Sequence, residues 1–160
     1  MFGKVAREYI MNDIRLVDIT KENWETICWL GPGKEGREFV ASNGFSIVQS
    51  VFEEGWMIKG ITRGDTYIGF TMYGYAQELE GYELCRFMID YSEQGKGYGQ
   101  KALSMIIEEM IKQFHCNKIY LSTAPNNSRG KHIYEKYGFK PTGKICGDGA
   151  DTEDIYCMEL

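Results

Sequence analysis

The chain has 160 residues, 43% hydrophobic and 26% charged, with a formal net charge of −5, the balance of an ordinary globular protein rather than a disordered or fibrous one. That length suits a single domain burying roughly 70% of its unfolded surface, so neither a disulfide nor a metal is needed as a staple. The acidic balance argues against a nucleic-acid partner, whose phosphates require clustered Lys and Arg, and no apolar run approaches the roughly 20 residues that cross a bilayer.

In chain order, residues 1–10 read as an N-terminal extension without an apolar signal-peptide core, and the folded unit is expected from Met11. Asp13 to Ile19 alternates polar and apolar residues as a half-buried strand does. Thr20 is expected to cap a helix over Lys21 to Leu30, with Trp24, Ile27 and Cys28 on one face and Gly31-Pro32-Gly33 as its stop. Glu35 to Val51 reads as a second helical region, broken near Ser42-Asn43-Gly44 and resuming at Ser46. Strands follow over Trp56 to Thr62, Tyr67 to Tyr75 and Tyr82 to Asp90, the first two joined by Arg63-Gly64-Asp65. That tripeptide also spells an integrin-ligand motif, but its Gly and Asp are the ordinary chemistry of a hairpin turn.

Leu103, Ile106, Ile107, Met110 and Phe114 recur at intervals of three and four, which predicts an amphipathic helix over Tyr98 to Phe114. Lys118 to Ser122 reads as a short strand and Ser128 to Tyr137 as a helix, closed by Gly138 in a left-handed cap with Phe139 as its apolar contact. Strands over Lys140 to Ile145 and Asp154 to Met158 flank the loop 147–151, whose carboxylates lack calcium-loop spacing. The five cysteines (Cys28, Cys85, Cys116, Cys146, Cys157) are odd in number and form no C-x-x-C pair. They predict reduced thiols in a cytoplasmic protein, with no metal site.

The most informative segment is Gln94-Gly95-Lys96-Gly97-Tyr98-Gly99, between a strand and the longest helix. Unpaired N–H groups at a helix start make an anion site. Glycines let the backbone take unusual dihedrals and let a phosphate approach closely, and Lys96 offers a full positive charge. The loop lacks the spacing of a dinucleotide fold and the Gly-Lys-Ser/Thr ending of a P-loop.

Gln94-x-x-Gly97-x-Gly99 resembles the Q/R-x-x-G-x-G/A signature with which the GNAT N-acetyltransferase superfamily binds the coenzyme A pyrophosphate. Downstream, residues 127–139 are similar to that family's N-x-x-A-x-x-L-Y-x-x-x-G-F segment, with Gly130 and Ile133 in place of Ala and Leu. The resemblance implies an α/β fold in which a mixed, mostly antiparallel sheet of six to seven strands is flanked by about four helices. It further implies that the strand 84–90 splays from 118–122. The arm of acetyl-CoA, the cosubstrate, would lie in that gap against the backbone of Phe87, Met88 and Ile89, where an N–H can also stabilise the oxyanion.

Helix periodicity alone makes Tyr134 a core aromatic, whereas the resemblance makes it the general acid that protonates the departing thiolate. Asn127 reads as a bond to the coenzyme arm or as the cap of the helix beginning at Ser128, and both can hold at once. Glu83, at the start of the central strand, reads either as a general base, acting directly or through water, or as a solvated strand-end carboxylate. Direct transfer needs no acyl-cysteine, so Cys85 reads as packing.

Within the superfamily the segments 39–46, 67–74 and 86–90 resemble bacterial spermine/spermidine (polyamine and diamine) acetyltransferases. Such an acceptor needs spaced carboxylates beside aromatic surface, which Glu35, Glu38, Glu53, Glu54 and Trp56 can supply, although Arg37 introduces a cation there. The expected partner is therefore a small amine, with neither nucleic acid nor membrane involved. A homodimer is compatible with the resemblance, although no sequence feature fixes its interface. The competing readings are a peptide N-terminal or protein-lysine acetyltransferase and a non-catalytic acyl-CoA-binding sensor.

Overall fold

The computed structural model describes residues 13–160; the expected extension over 1–10 and the start at Met11 lie outside the described residues. Its elements are β1 (Ile14–Asp18), α1 (Trp24–Trp29), α2 (Asn43–Phe52), β2 (Trp56–Arg63), β3 (Thr66–Ala76), β4 (Gly81–Ile89), α3 (Tyr98–Phe114), β5 (Lys118–Thr123), α4 (Ser128–Tyr137), β6 (Lys140–Cys146) and β7 (Glu153–Glu159). The strands form one sheet in the order β1-β2-β3-β4-β5-β7-β6. Every neighbouring pair is antiparallel except β4 and β5. This is the mixed, mostly antiparallel sheet expected, with seven strands and, among the described residues, four α-helices. No helix among the described residues is long and apolar enough to cross a membrane.

Two local expectations shift. The first helix begins at Trp24, not Lys21, because Asn23 builds a turn ahead of it. Its Oδ1 accepts from Thr20 N–H at 2.7 Å and its Nδ2 donates to the Asp18 carbonyl at 2.9 Å. Trp24 is left 49% exposed, so only Ile27 and Cys28 of the expected face turn inward. The second helical region narrows to a 3-10 turn at Gly36–Glu38, and α2 then starts at the expected break. Ser42 caps it by accepting from Phe45 N–H at 3.2 Å. Asn43 is buried, and its Nδ2 donates to the carbonyls of Ile27 and Leu30, tying α2 to the end of α1.

The sheet carries a core on each face. On one, Ala102, Leu103, Ile106, Ile107 and Met110 of α3 pack on Ile61, Ile68, Tyr73, Leu84, Ile119 and Leu121 of the strands. Each large apolar side chain buried this way stabilises the fold by about 1.5–3 kcal/mol. On the other face Ile27 of α1 meets Phe70, Met72 and Met88, with Ile47 of α2 and Trp56 packed alongside. At the end of α4, Gly138 sits at φ 123 and the N–H of Phe139 donates to the Tyr134 carbonyl. The buried Phe139 ring then meets Tyr134 edge-on at 6.1 Å, as the sequence predicts.

Candidate active site

The site begins where the sheet fails to close. β4 and β5 are in register only at Glu83 and Tyr120, and beyond that pair the two strands separate. β4 stays bonded to β3 up to Ile89, and Asp90 N–H donates to the Ile68 carbonyl at 2.8 Å. Antiparallel alternation then turns the backbone of Met88 toward β3 and that of Phe87 and Ile89 into the gap. Of the three residues expected to face a coenzyme arm, Phe87 turns its backbone there and Ile89 its N–H, the Ile89 carbonyl being taken by the Gln94 side chain. Met88 spends its backbone on the sheet and its side chain in the smaller core.

The glycine loop closes one end of the gap. Gly95 and Gly97 lie at φ 74 and 88, and Gly97 is the left-handed N-cap of α3. A glycine cap supplies no side chain to the first turn, so the N–H groups of Tyr98, Gly99 and Gln100 have no intrahelical partner. Together with the helix dipole they form a seat for an anion. Gln94 braces the loop, its Nε2 donating to the carbonyls of Pro32 at 3.1 Å and Ile89 at 2.9 Å. Tyr98 contributes backbone only, since its ring is buried beneath the Arg63 guanidinium. Lys96 folds back onto Glu93 at 3.1 Å, and Glu93 also pairs with Arg63 at 3.7 Å. A cation not anticipated from the sequence, Arg129 in the first turn of α4, reaches Gln94 Oε1 at 3.4 Å. The loop, its free N–H groups and the open strand edge fit a pyrophosphate with an extended arm.

α4 flanks the gap. Asn127 caps it, Oδ1 accepting from Gly130 N–H at 3.0 Å while Nδ2 donates to Thr123 Oγ1 at 2.9 Å. A Cβ on Gly130 would lie 2.4 Å from Asn127 Nδ2, so glycine here is what lets that cap fold over the helix start. Of the two readings of Asn127, the cap is realised in the geometry. Lys131 pairs with Asp154 at 2.6 Å and Tyr156 donates to Glu135 at 3.1 Å, tying α4 to β7. Tyr134 is half-buried against the larger core. Burial, with the negative charge of Glu153 in range, pushes its phenol up to about 12.

The opposite face holds acidic groups. Leu84 of β4, Leu121 of β5 and Tyr156 of β7 point into the larger core, so alternation sends Glu83, Ser122 and Glu153 together onto the other side. Ser122 Oγ contacts Glu153 Oε2 at 2.5 Å and lies 3.5 Å from Glu83 Oε1. Burial raises Glu83 to about 7; Glu153 and Glu78 push the same way, while Arg86 and Ser122 oppose them. Burial also lifts the Cys85 thiol to about 12, with the carboxylates of Glu83, Glu153 and Glu53 adding to the shift despite Arg86. A thiol held there is inert near neutral pH.

The expected acceptor residues divide. Glu53 accepts from Gln49 Nε2 at 2.9 Å and Trp56 Nε1 at 3.2 Å, so Glu53 and Trp56 form one unit beside Cys85. Glu35, Glu38 and Glu54 are exposed, as is Glu53 itself. Ser122 and Glu153 were not foreseen; the signal was weak, a polar residue in each of two short strands whose pairing only the sheet reveals. Among the described residues no cluster of His, Cys, Asp and Glu is arranged to hold a metal.

Residues 16–139 match the Acetyltransferase (GNAT) family. The chain belongs to that family. A curated GNAT relative, the spermine/spermidine N(1)-acetyltransferase of Bacillus subtilis (strain 168), is 35% identical over 99 residues. That match covers 58% of this chain and 63% of the relative, so the chain spans less than two thirds of the relative's length. Among solved structures, the PaiA N-acetyltransferase of Thermoplasma acidophilum in complex with coenzyme A superposes with a TM-score of 0.67 at 20% identity, covering 92% of this chain and 99% of that one. The spermidine N-acetyltransferase of Vibrio cholerae in complex with CoA and spermine gives 0.70 at 16% identity, covering 93% and 95%. At these identities the two structures establish the GNAT fold.

Proposed function

We propose that the protein transfers the acetyl group of acetyl-CoA directly to a primary amine, a polyamine such as spermidine or spermine or a diamine, within a ternary complex. The reading rests on one observation: the β4–β5 gap has an anion seat and Tyr134 on one side and the carboxylates of Glu83 and Glu153 on the other. Acetyl-CoA supplies an activated thioester. The N–H groups at the start of α3 hold its pyrophosphate, and the backbone at Phe87 and Ile89 pairs with its arm. An N–H of that strand faces the carbonyl oxygen where negative charge develops.

On the acceptor face, Glu53 with Trp56, and Glu83 with Glu153, give carboxylates and an aromatic surface to a multiply charged amine. Glu83 takes the proton that the ammonium must lose. Its rise to about 7 narrows the gap to an alkyl ammonium near ~10.4. Tyr134 returns a proton to the departing sulfur as charge develops there, and Cys85 takes no part. The acceptor class is supported by the name of the relative and by this acidic wall. The same reading makes the protein a cytoplasmic enzyme acting on a small molecule, as a monomer or homodimer.

The test is thiol release from acetyl-CoA across spermidine, spermine, short diamines, amino acids and N-terminal peptides. Turnover saturating at low polyamine concentration is expected. Turnover with peptides alone replaces the acceptor, and tight acetyl-CoA binding without any turnover makes the protein a sensor.

A further inference from the structure

We propose that Ser122 and Glu153 form the proton exit from Glu83, carrying the proton taken from the amine across the sheet to solvent; this rests on the reading of Glu83 as the base. A hydroxyl has one hydrogen to donate and two lone pairs to accept with. Ser122 spends its hydrogen on Glu153 at 2.5 Å, so a lone pair is what it turns toward Glu83. A lone pair facing a carboxylate is repulsive, which accounts for the 3.5 Å separation on that side. Once Glu83 is protonated the contact becomes favourable and closes.

The transfer balances without another reactant. An ammonium N–H bond breaks and an O–H bond forms on Glu83, leaving the neutral amine free to attack. The Glu83 proton then passes to Ser122 Oγ as the Ser122 proton passes to Glu153, and Glu153, half-exposed at the start of β7, releases it to water. Each turn restores the starting hydrogens. Among the described residues, the elements around Glu83 bring no competing acceptor of similar reach, and the Cys146 thiol touches Ser122 rather than Glu83 through a hydrogen bond. Arg86 of β4 is cationic, Cys85 and Cys146 are thiols pushed up by burial, and Glu78 acts on Glu83 only through its charge.

The test is steady-state kinetics with acetyl-CoA and spermidine, at low and at high imidazole buffer, for Ser122→Ala, Glu153→Gln, Ser122→Thr and Glu83→Gln. Loss of the exit is expected to lower kcat on the order of tenfold in Ser122→Ala and Glu153→Gln. Both KM values should hold, and high buffer should restore most of the rate by carrying the proton instead. Ser122→Thr keeps the hydroxyl and should behave as the parent. A slow Glu83→Gln beside fully active Ser122→Ala and Glu153→Gln overturns the relay and leaves the base in place. Slow variants that buffer does not rescue reduce the two residues to a structural role. A fully active Glu83→Gln, or no turnover of spermidine by the parent, overturns the base reading and the relay with it.

Discussion

The two sides of the β4–β5 gap are built by different means. The side we propose for the coenzyme has, besides Tyr134, a seat made of backbone: glycines at φ 74 and 88, the N–H groups at the start of α3 and the unpaired edge of β4. All of it comes from one continuous stretch, residues 84–100. The side we propose for the acceptor is made of side chains from four strands, Glu83 on β4, Ser122 on β5, Cys146 on β6 and Glu153 on β7, with Glu53 arriving from the end of α2. A backbone site binds a group common to every reaction of the kind, because N–H groups do not depend on side-chain identity. A side-chain site can change one residue at a time, which suits the side that selects the amine.

The largest effect should come from Tyr134→Phe, which removes one oxygen between the two sides. We expect kcat to fall by about 100-fold with coenzyme affinity intact; unchanged turnover would move the acid elsewhere. Next, Gly97→Val forces a β-branched residue to φ 88. The strain of about 1–3 kcal/mol should weaken coenzyme binding by roughly tenfold to a hundredfold, measured by calorimetry, while the amine KM holds. Parent-like affinity would show that the seat does not need that glycine.

A third prediction uses stability. Burial holds the Glu83 proton up to about pH 7, against 4.5 for an unperturbed glutamate. Between those values the folded chain keeps a proton that the unfolded chain has lost, so stability falls as pH rises through the window. Glu83→Gln should therefore stabilise the fold at pH 8, by about 2 kcal/mol once partial exposure is allowed for, and change little at pH 4. Equal shifts in Tm at both pH values would mean Glu83 is not a desolvated carboxylate. The smallest effect belongs to Glu93→Gln, which frees Lys96 and Arg63 from their shared carboxylate. Coenzyme affinity should tighten by about twofold at low salt and not at high salt. Weaker binding at low salt would show that Glu93 serves the loop by holding it in shape.

Local physics reached far along this chain. The period of α3 predicted Tyr98–Phe114 to the residue, and α4 likewise, because each has an apolar stripe bounded by a strong end signal. The same methods misjudged the starts of α1 and α2, where Asn23 and Asn43 bond backbone across a turn or to another helix. Such partners are invisible to periodicity.

What the sequence determined alone was the order of strands and helices along the chain, the glycine turn that opens α3 and the family likeness, since each depends on residues close together in the chain. Tertiary structure alone decided that Ser122 and Glu153 join Glu83 and that Arg129 reaches the loop. The reason is that these contacts follow from strand pairing between β4, β5 and β7, and from the docking of α4. No local pattern encodes such pairings, because the partners lie tens of residues apart and are selected by the packing of the whole sheet.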